Sequence, residues 1–242
     1  MNNYLWKKVY TLRAGDFDKY NRIKPSAVLE LFQDAAGQHA EEINVGYETM
    51  ANRSYMWVLL KVKLQFISNP ERYQKVIIKT WPLVPNRLSY RREFSIENEN
   101  GEHLIGGSSE WVVMHSEKRR LVADPNLYPF TEGFLTDMIF EGKLDRVDDF
   151  EINETPHIVN AGFSEIDVNK HVNNTKYANY VLDAVAPNEK EILSVFQIDY
   201  RKEVLEGTQL KIYHSKDNNE VLAKGLNDNG DIMFACKLEY KP

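Results

Sequence analysis

"LFQDAA" occupies residues 31–36 and "YVLDAV" occupies residues 180–185, an offset of 149. Each hexapeptide lies in an apolar stretch of helical period, and each stretch is followed by a run of short alternating segments. The earlier stretch, "KPSAVLELFQDAAGQHAEEI" (24–43), has Pro25 suited to a first helical position. Ala27, Val28, Leu31, Phe32 and Ala35 make its apolar stripe. The later helix is expected from about Asn174 to Val185, closed by Pro187, with Tyr177, Tyr180, Val181 and Ala184 on one face.

Working outward, "YMWVLLKVKLQF" (55–66) reads as a strand in which Met56, Val58, Leu60, Val62, Leu64 and Phe66 alternate with more polar residues from Lys61 onward. "KVIIKTWPLV" (75–84) and a pair of strands joined by the "NENG" turn (98–101) continue it. Gly106 and Gly107 in "LIGGSSEW" read as a strand bulge. After the later helix come "SVFQIDYRKEV" (194–204), "TQLKIYHSKDN" (208–218), "EVLAKGLNDNG" (220–230) and "DIMFACKLEY" (231–240), punctuated by Asp, Asn and Gly turns. The same order of elements occurs twice, which predicts an α+β chain built by duplicating one helix-plus-sheet unit. We expect units at 1–125 and 155–242, joined by a linker at 126–154 that carries the acidic "EGKLDRVDDFEINE".

Formal net charge is -6, which gives no support for nucleic-acid binding. No apolar run is long enough to span a bilayer. "MNNYLWKKVYTL" (1–12) lacks the apolar core of a secretory signal. A single cysteine, Cys236, excludes an internal disulfide and a multi-cysteine zinc site, and HExxH is absent. The expectation is a cytoplasmic protein with no metal and no cofactor.

"DVNKHVNN" (167–174) packs an aspartate, three asparagines and a histidine just ahead of the later helix. Helix capping by Asn173 or Asn174, with Asp167 in the preceding turn, accounts for such residues one at a time. Taken together, Asp167, Asn169 and His171 alternate and can point the same way, beside a helix N-terminus that favours negative charge. A carboxylate, an amide and an imidazole at such a place are parts for hydrolysing an activated carbonyl.

"DVNKHVNNTKYANYVLDAV" (167–185) resembles the active-site segment of acyl-acyl-carrier-protein thioesterases, and "IDYRKEV" (198–204) resembles that family's Tyr-Arg-Arg-Glu strand. "DAAGQHAEEINVG" and "RLSYRREFSI" extend the likeness into the first half. The resemblance implies a double hotdog fold, two tandem repeats each with a helix packed on an antiparallel sheet. It also implies a hydrolase that releases free fatty acid from fatty acyl-acyl carrier protein. Carried over by position, it assigns catalysis to Asp167, Asn169, His171 and Glu203. Some plant members have cysteine directly after the glutamate, where this chain has Val204. A thiol nucleophile is therefore not expected, and Cys236 reads as core. Glu203 would activate water with His171 in the proton chain, and Asn169 would hold the water or the carbonyl. Asp167 would orient its neighbours or attack directly, and the sequence leaves general base and nucleophile both open.

The first half lacks these groups. Aligning the repeats on their helices puts His171 opposite Lys24 or Ile23, and aligning the following strands puts Glu203 opposite Ser68. One active site is thus expected, with the first half walling the acyl tunnel. Met56, Val58 and Leu60 are the candidate wall, though plain core packing explains them equally well. Asn173 and Asn174 are further candidates for substrate contact. The partner expected is acylated acyl carrier protein, an acidic protein for which "RREF" (91–94), "EKRRL" (117–121) and "YRKE" (200–203) offer positive charge. An acyl-CoA thioesterase, or a non-catalytic sensor of acyl thioesters, are the competing readings. The chain is expected as a monomer or homodimer.

Overall fold

The computed structural model describes residues 4–129 and 131–242; residues 1–3, where the first unit was drawn to begin, lie outside them. Strand β1 (Trp6–Thr11) is followed by α1 (Pro25–Glu42), the short α2 (Tyr47–Asn52) and β2 (Tyr55–Phe66). Then come β3 (Lys75–Pro82), β4 (Tyr90–Asn98), β5 (His103–His115) and the two-residue β6 (Arg120–Leu121). The second set is β7 (His157–Asn160), α3 (Tyr177–Val185), β8 (Leu193–Tyr200), β9 (Gln209–Asp217), β10 (Glu220–Leu226) and β11 (Ile232–Tyr240). All form one antiparallel sheet in the order β1-β3-β4-β5-β2-β8-β11-β10-β9-β7, with β6 on β5. Read from its outer edges, each half has the same strand order, and the halves meet where β2 pairs β8 from Lys61↔Asp199 to Gln65↔Val195. This is the duplicated α+β unit, two hotdog repeats side by side.

The helices lie on one face of the sheet. Ala27, Val28, Leu31, Phe32 and Ala35 of α1 are all buried, and Phe32 stacks on Phe94 of β4 at 4.5 Å. Each large side chain of that stripe contributes about 1.5–3 kcal/mol of burial. On α3, Tyr177, Ala178, Tyr180 and Val181 are buried. This helix has half the length of α1, 9 residues against 18. It starts at Tyr177 rather than Asn174, because Asn173 Oδ1 accepts the Thr175 N–H (3.0 Å) and hydroxyl (2.9 Å) and turns the chain first. It ends where Ala186 takes a left-handed φ of 47° before Pro187.

None of the described residues between 122 and 156 falls in a helix or strand. Its first part stays on the helix side, where Leu127 and Tyr128 pack with Tyr4 and Tyr90; from about Asp137 onward it is strapped across the other face of the sheet and touches both halves. Glu93 accepts the Ile139 N–H at 2.8 Å, Lys61 donates to the Leu144 carbonyl at 2.9 Å, and Asp199 accepts the Val147 N–H at 2.8 Å. Gly106 and Gly107 are explained by this sandwich and not by a bulge, since both pair regularly with β2. A Cβ on Gly106 would meet Ile139 of the strap at 2.6 Å, and one on Gly107 would meet Phe32 of α1 at 2.5 Å. The real bulge in β2 falls between Leu59 and Lys61. Trp57 and Leu59 therefore share the helix face with Val62 and Leu64, while Met56 and Val58 face the other way.

Candidate active site

Residues 163–172 form a closed loop. Ile166 and Val172 make an antiparallel bridge, the Asp167 N–H donates to the His171 carbonyl (2.8 Å), and Asp167 Oδ1 accepts the Asn169 N–H (2.8 Å). Lys170 turns the chain with a φ of 67°. The same loop exists 149 positions earlier: Phe17 bridges Ile23, the Asp18 N–H donates to the Arg22 carbonyl (2.8 Å), and Asn21 has a φ of 60°. Superposed by these bonds, the partner of His171 is Arg22, not Lys24 or Ile23. The residue-by-residue alignment slipped because α1 and α3 start at different distances from the loop. The Val172 N–H donates to the Val204 carbonyl at 2.8 Å, where the Ile23 N–H donates to Asn69 Oδ1. The Ile67 and Ser68 N–H groups both donate to the Leu104 carbonyl as those of Arg201 and Lys202 both donate to that of Met233, so Glu203 stands opposite Asn69 and not Ser68.

Val172 is docked on Val204 by that 2.8 Å bond, which brings the loop to the chain just beyond β8. His171 Nε2 then lies 3.4 Å from Glu203 Oε2. This is long for a hydrogen bond and within the range an unliganded site tightens from. Glu203 is held by a residue outside the motif. Both its oxygens accept from Arg119 Nη2 at 3.0 Å, and Arg119 belongs to the β5–β6 turn of the first half. Tyr177 lies beneath. Its hydroxyl meets the Val204 backbone, and burial, with the charges of Asp167 and Glu203, raises its pKa well above the ordinary value. Asn169 is exposed, joined to Asp167 through its backbone. Asn173 serves the turn into α3, and the Asn174 carbonyl accepts the Tyr200 hydroxyl at 2.8 Å.

A narrow cavity of about 30 Å³ opens at Asn174, Thr175 and Tyr200 and runs between Phe32, Leu59 and Phe94 of the first half. Gln33, Ala36 and Trp111 are shared with a larger cavity of about 170 Å³ between α1 and β4, walled by Trp57, Tyr90, Arg92 and Tyr128. Met56, Val58 and Leu60 line neither: the bulge puts Trp57 and Leu59 there instead. Met56 meets Arg119, with its sulfur 3.9 Å from Nη1. Of the basic strings, "RREF" does not face outward. Arg91 binds Glu93 at 2.5 Å and the carbonyls of Phe140 and Gly142 in the strap, and Arg92 is buried. Lys118, Arg119 and Arg120 are exposed at the rim. Cys236 is fully buried in β11, and burial raises its thiol pKa well above the ordinary value. Among the described residues no cluster of acids, histidines and cysteine has the makings of a metal site, and no helix is long and apolar enough to cross a membrane.

Residues 3–126 match the model of the acyl-ACP thioesterase N-terminal domain and residues 151–241 that of the C-terminal domain. The chain is 24% identical over 226 residues to a dodecanoyl-[acyl-carrier-protein] hydrolase of Umbellularia californica, covering 87% of this chain and 59% of that protein. It is 23% identical over 214 residues to acyl-[acyl-carrier-protein] hydrolase FATB2 of Cuphea viscosissima, covering 82% of this chain and 52% of that one. The chain thus spans about half the length of the curated plant relatives it matches. Among solved structures, an acyl-ACP thioesterase from Bacteroides thetaiotaomicron superposes with a TM-score of 0.88 at 20% identity, covering 98% of both chains. The 12:0-ACP thioesterase of Umbellularia californica gives 0.87 at 21% identity, covering 98% of this chain and 97% of that one. At such identities the structural likeness bears on the fold alone.

Proposed function

Because this chain belongs to the acyl-ACP thioesterase family, we propose that it hydrolyses the thioester of fatty acyl-acyl carrier protein and releases the free fatty acid. The observation that carries this reading is the 3.4 Å approach of His171 to Glu203 beside an apolar channel that runs into the first repeat. In the proposed reaction Glu203 orients a water and takes its proton as the water oxygen bonds to the acyl carbon. The C–S bond then breaks, and His171 relays the proton from Glu203 to the departing carrier thiolate, which restores both groups. The Asn169 amide holds the carbonyl oxygen, and Asp167 keeps the loop in shape. Arg119 fixes the Glu203 carboxylate by donating from Nη2 to both of its oxygens. The first repeat supplies Trp57, Leu59 and Phe94 as channel wall, and the second supplies the chemistry. Lys118 and Arg120, flanking Arg119 on the exposed turn, suit an acidic carrier. The single buried thiol suits a reducing compartment such as the cytoplasm.

Purified Glu203→Gln and His171→Ala, assayed on matched acyl-carrier-protein and acyl-CoA substrates, are expected to lose roughly a hundredfold or more in turnover without a change in melting temperature. Near-normal rates in either folded variant would remove that residue from the reaction.

A further inference from the structure

Arg92 is an anomaly in the larger cavity. It lies on the helix face of β4, only 7% exposed, among aromatic walls. Its Nη1 is 2.9 Å from His39 Nδ1 and 3.2 Å from Thr80 Oγ1, and the Tyr128 hydroxyl is its other partner. A guanidinium only donates, so His39 accepts through Nδ1 as a neutral imidazole. Burial pushes the Tyr128 hydroxyl up to about 12, so it is neutral too. Among the described residues no carboxylate lies within ion-pair distance of Arg92, whereas the other buried cation, Lys224, has Asp149 at 2.6 Å. On the opposite face Arg91 has Glu93 at 2.5 Å. A buried charge with only neutral partners is costly.

The space is of the right kind for a guest. At about 170 Å³ it matches cavities that admit a benzene-sized molecule. α1 offers it small residues, Ala36, Gly37 and Ala40, and at the exposed Gly37 the space opens to solvent. A purely aliphatic chain end placed here would exclude water from the guanidinium and offer it no acceptor. A chain carrying oxygen at that depth would supply what the protein does not.

The geometry points to a polar subsite in the larger cavity, next to the one that reaches the second repeat, in which Arg92, backed by His39 and Tyr128, binds an oxygen function on the distal part of the acyl chain. This rests on the thioesterase reading. The ligand chemistry is an acceptor oxygen far from the thioester, carried as a hydroxyl or a carboxylate on an otherwise saturated chain. Sites built to hydrogen-bond a substrate group discriminate strongly against the analogue lacking it, because their own polar groups are then left unpaired.

The test uses acyl-carrier-protein thioesters of matched chain length ending in methyl, in an ω-hydroxyl or in an ω-carboxylate. The wild-type protein, Arg92→Met and Arg92→Lys are compared. In wild type, kcat/KM for an oxygenated chain is expected to exceed that of its methyl counterpart by roughly ten- to a hundredfold at the length that reaches Arg92. That ratio falls towards one in Arg92→Met and is partly kept in Arg92→Lys. A carboxylate preferred over a hydroxyl assigns the gain to charge pairing, and the reverse assigns it to hydrogen bonding. A wild-type ratio of one or below at every length overturns the subsite, as does an unchanged ratio in a folded variant. Binding of the free ω-hydroxy and unsubstituted fatty acids to wild type, by calorimetry, decides the matter independently of turnover. If no thioester is hydrolysed the thioesterase reading fails, while tenfold tighter binding of the oxygenated acid still supports the subsite and equal binding sinks it.

Discussion

Asp167 Oδ1 accepts the Asn169 N–H at 2.8 Å, and Asp18 Oδ1, at the matching place in the first repeat, accepts those of Tyr20 (2.8 Å) and Arg22 (2.9 Å). One carboxylate therefore does the same loop-closing work twice, once beside a histidine and once beside an arginine. The first copy has no imidazole: Arg22 instead pairs with Asp18 at 2.8 Å and donates to the carbonyls of Asn188 and Glu191. Loop closure alone does not require chemistry, so the two roles of Asp167 can be separated by comparing the copies. Asp18→Ala and Asp167→Ala are each expected to destabilise the fold by about 1 kcal/mol, a fall in melting temperature of roughly 2–4 °C for a chain of this size. Only Asp167→Ala is expected to slow turnover severely. Equal loss of turnover in both would reduce Asp167 to a structural staple. The motif, then, made the candidate site legible, because its residues are neighbours in sequence. It was silent about Arg119 and Tyr177: Arg119 reaches Glu203 across 84 positions, and its string "EKRRL" reads as an ordinary solvated turn.

At the scale of elements, periodicity located nearly every strand because one face of the sheet is dry and the turns are chemically marked. It failed where both faces are covered. "WVLL" (57–60) is apolar at odd and even positions alike, so nothing in it announces the bulge that puts Trp57 and Leu59, not Met56 and Val58, on the helix side. The second covering is the strap from about Asp137 onward, and Glu93 is its clamp, buried and bonded to the Ser108 hydroxyl (2.6 Å), the Ile139 N–H and Arg91. Burial raises the Glu93 pKa above its ordinary value near 4.5, an effect larger than the lowering by those partners. A carboxyl with a raised folded pKa contributes stability that is present below its unfolded value and lost as pH rises through the folded one. Glu93→Gln keeps an acceptor for Ile139 and removes the titration. Wild type is therefore expected to gain on the variant in melting temperature as pH falls from 7 towards 5. Thermal melts across that range check it, and a gap that narrows on acidification would mean that the Arg91 pairing outweighs burial.

At the scale of the molecule, duplication places two helix faces on one continuous sheet and leaves two equivalent loops, of which one kept a histidine. The smaller cavity reaches from Asn174, Thr175 and Tyr200 of the second repeat to the first repeat's helix face, so on the proposed function rate and chain length would be governed by different halves. Ala36 lines both cavities. A phenyl ring there would close the larger one while leaving the loop, Arg119 and Glu203 untouched. Each methylene excluded forfeits about 0.8 kcal/mol of burial, so losing two carbons of depth shifts relative kcat/KM by roughly fifteenfold. Ala36→Phe is accordingly expected to move the optimum to shorter acyl chains, with turnover on the best of them within about threefold of wild type. The measurement is a chain-length profile on acyl-carrier-protein substrates, run beside His171→Ala. The histidine variant lowers the whole profile without changing its shape, since it acts on a step common to every chain. If Ala36→Phe does the same, the acyl chain does not pass between Ala36 and Trp111, and the division of labour between the repeats is of another kind.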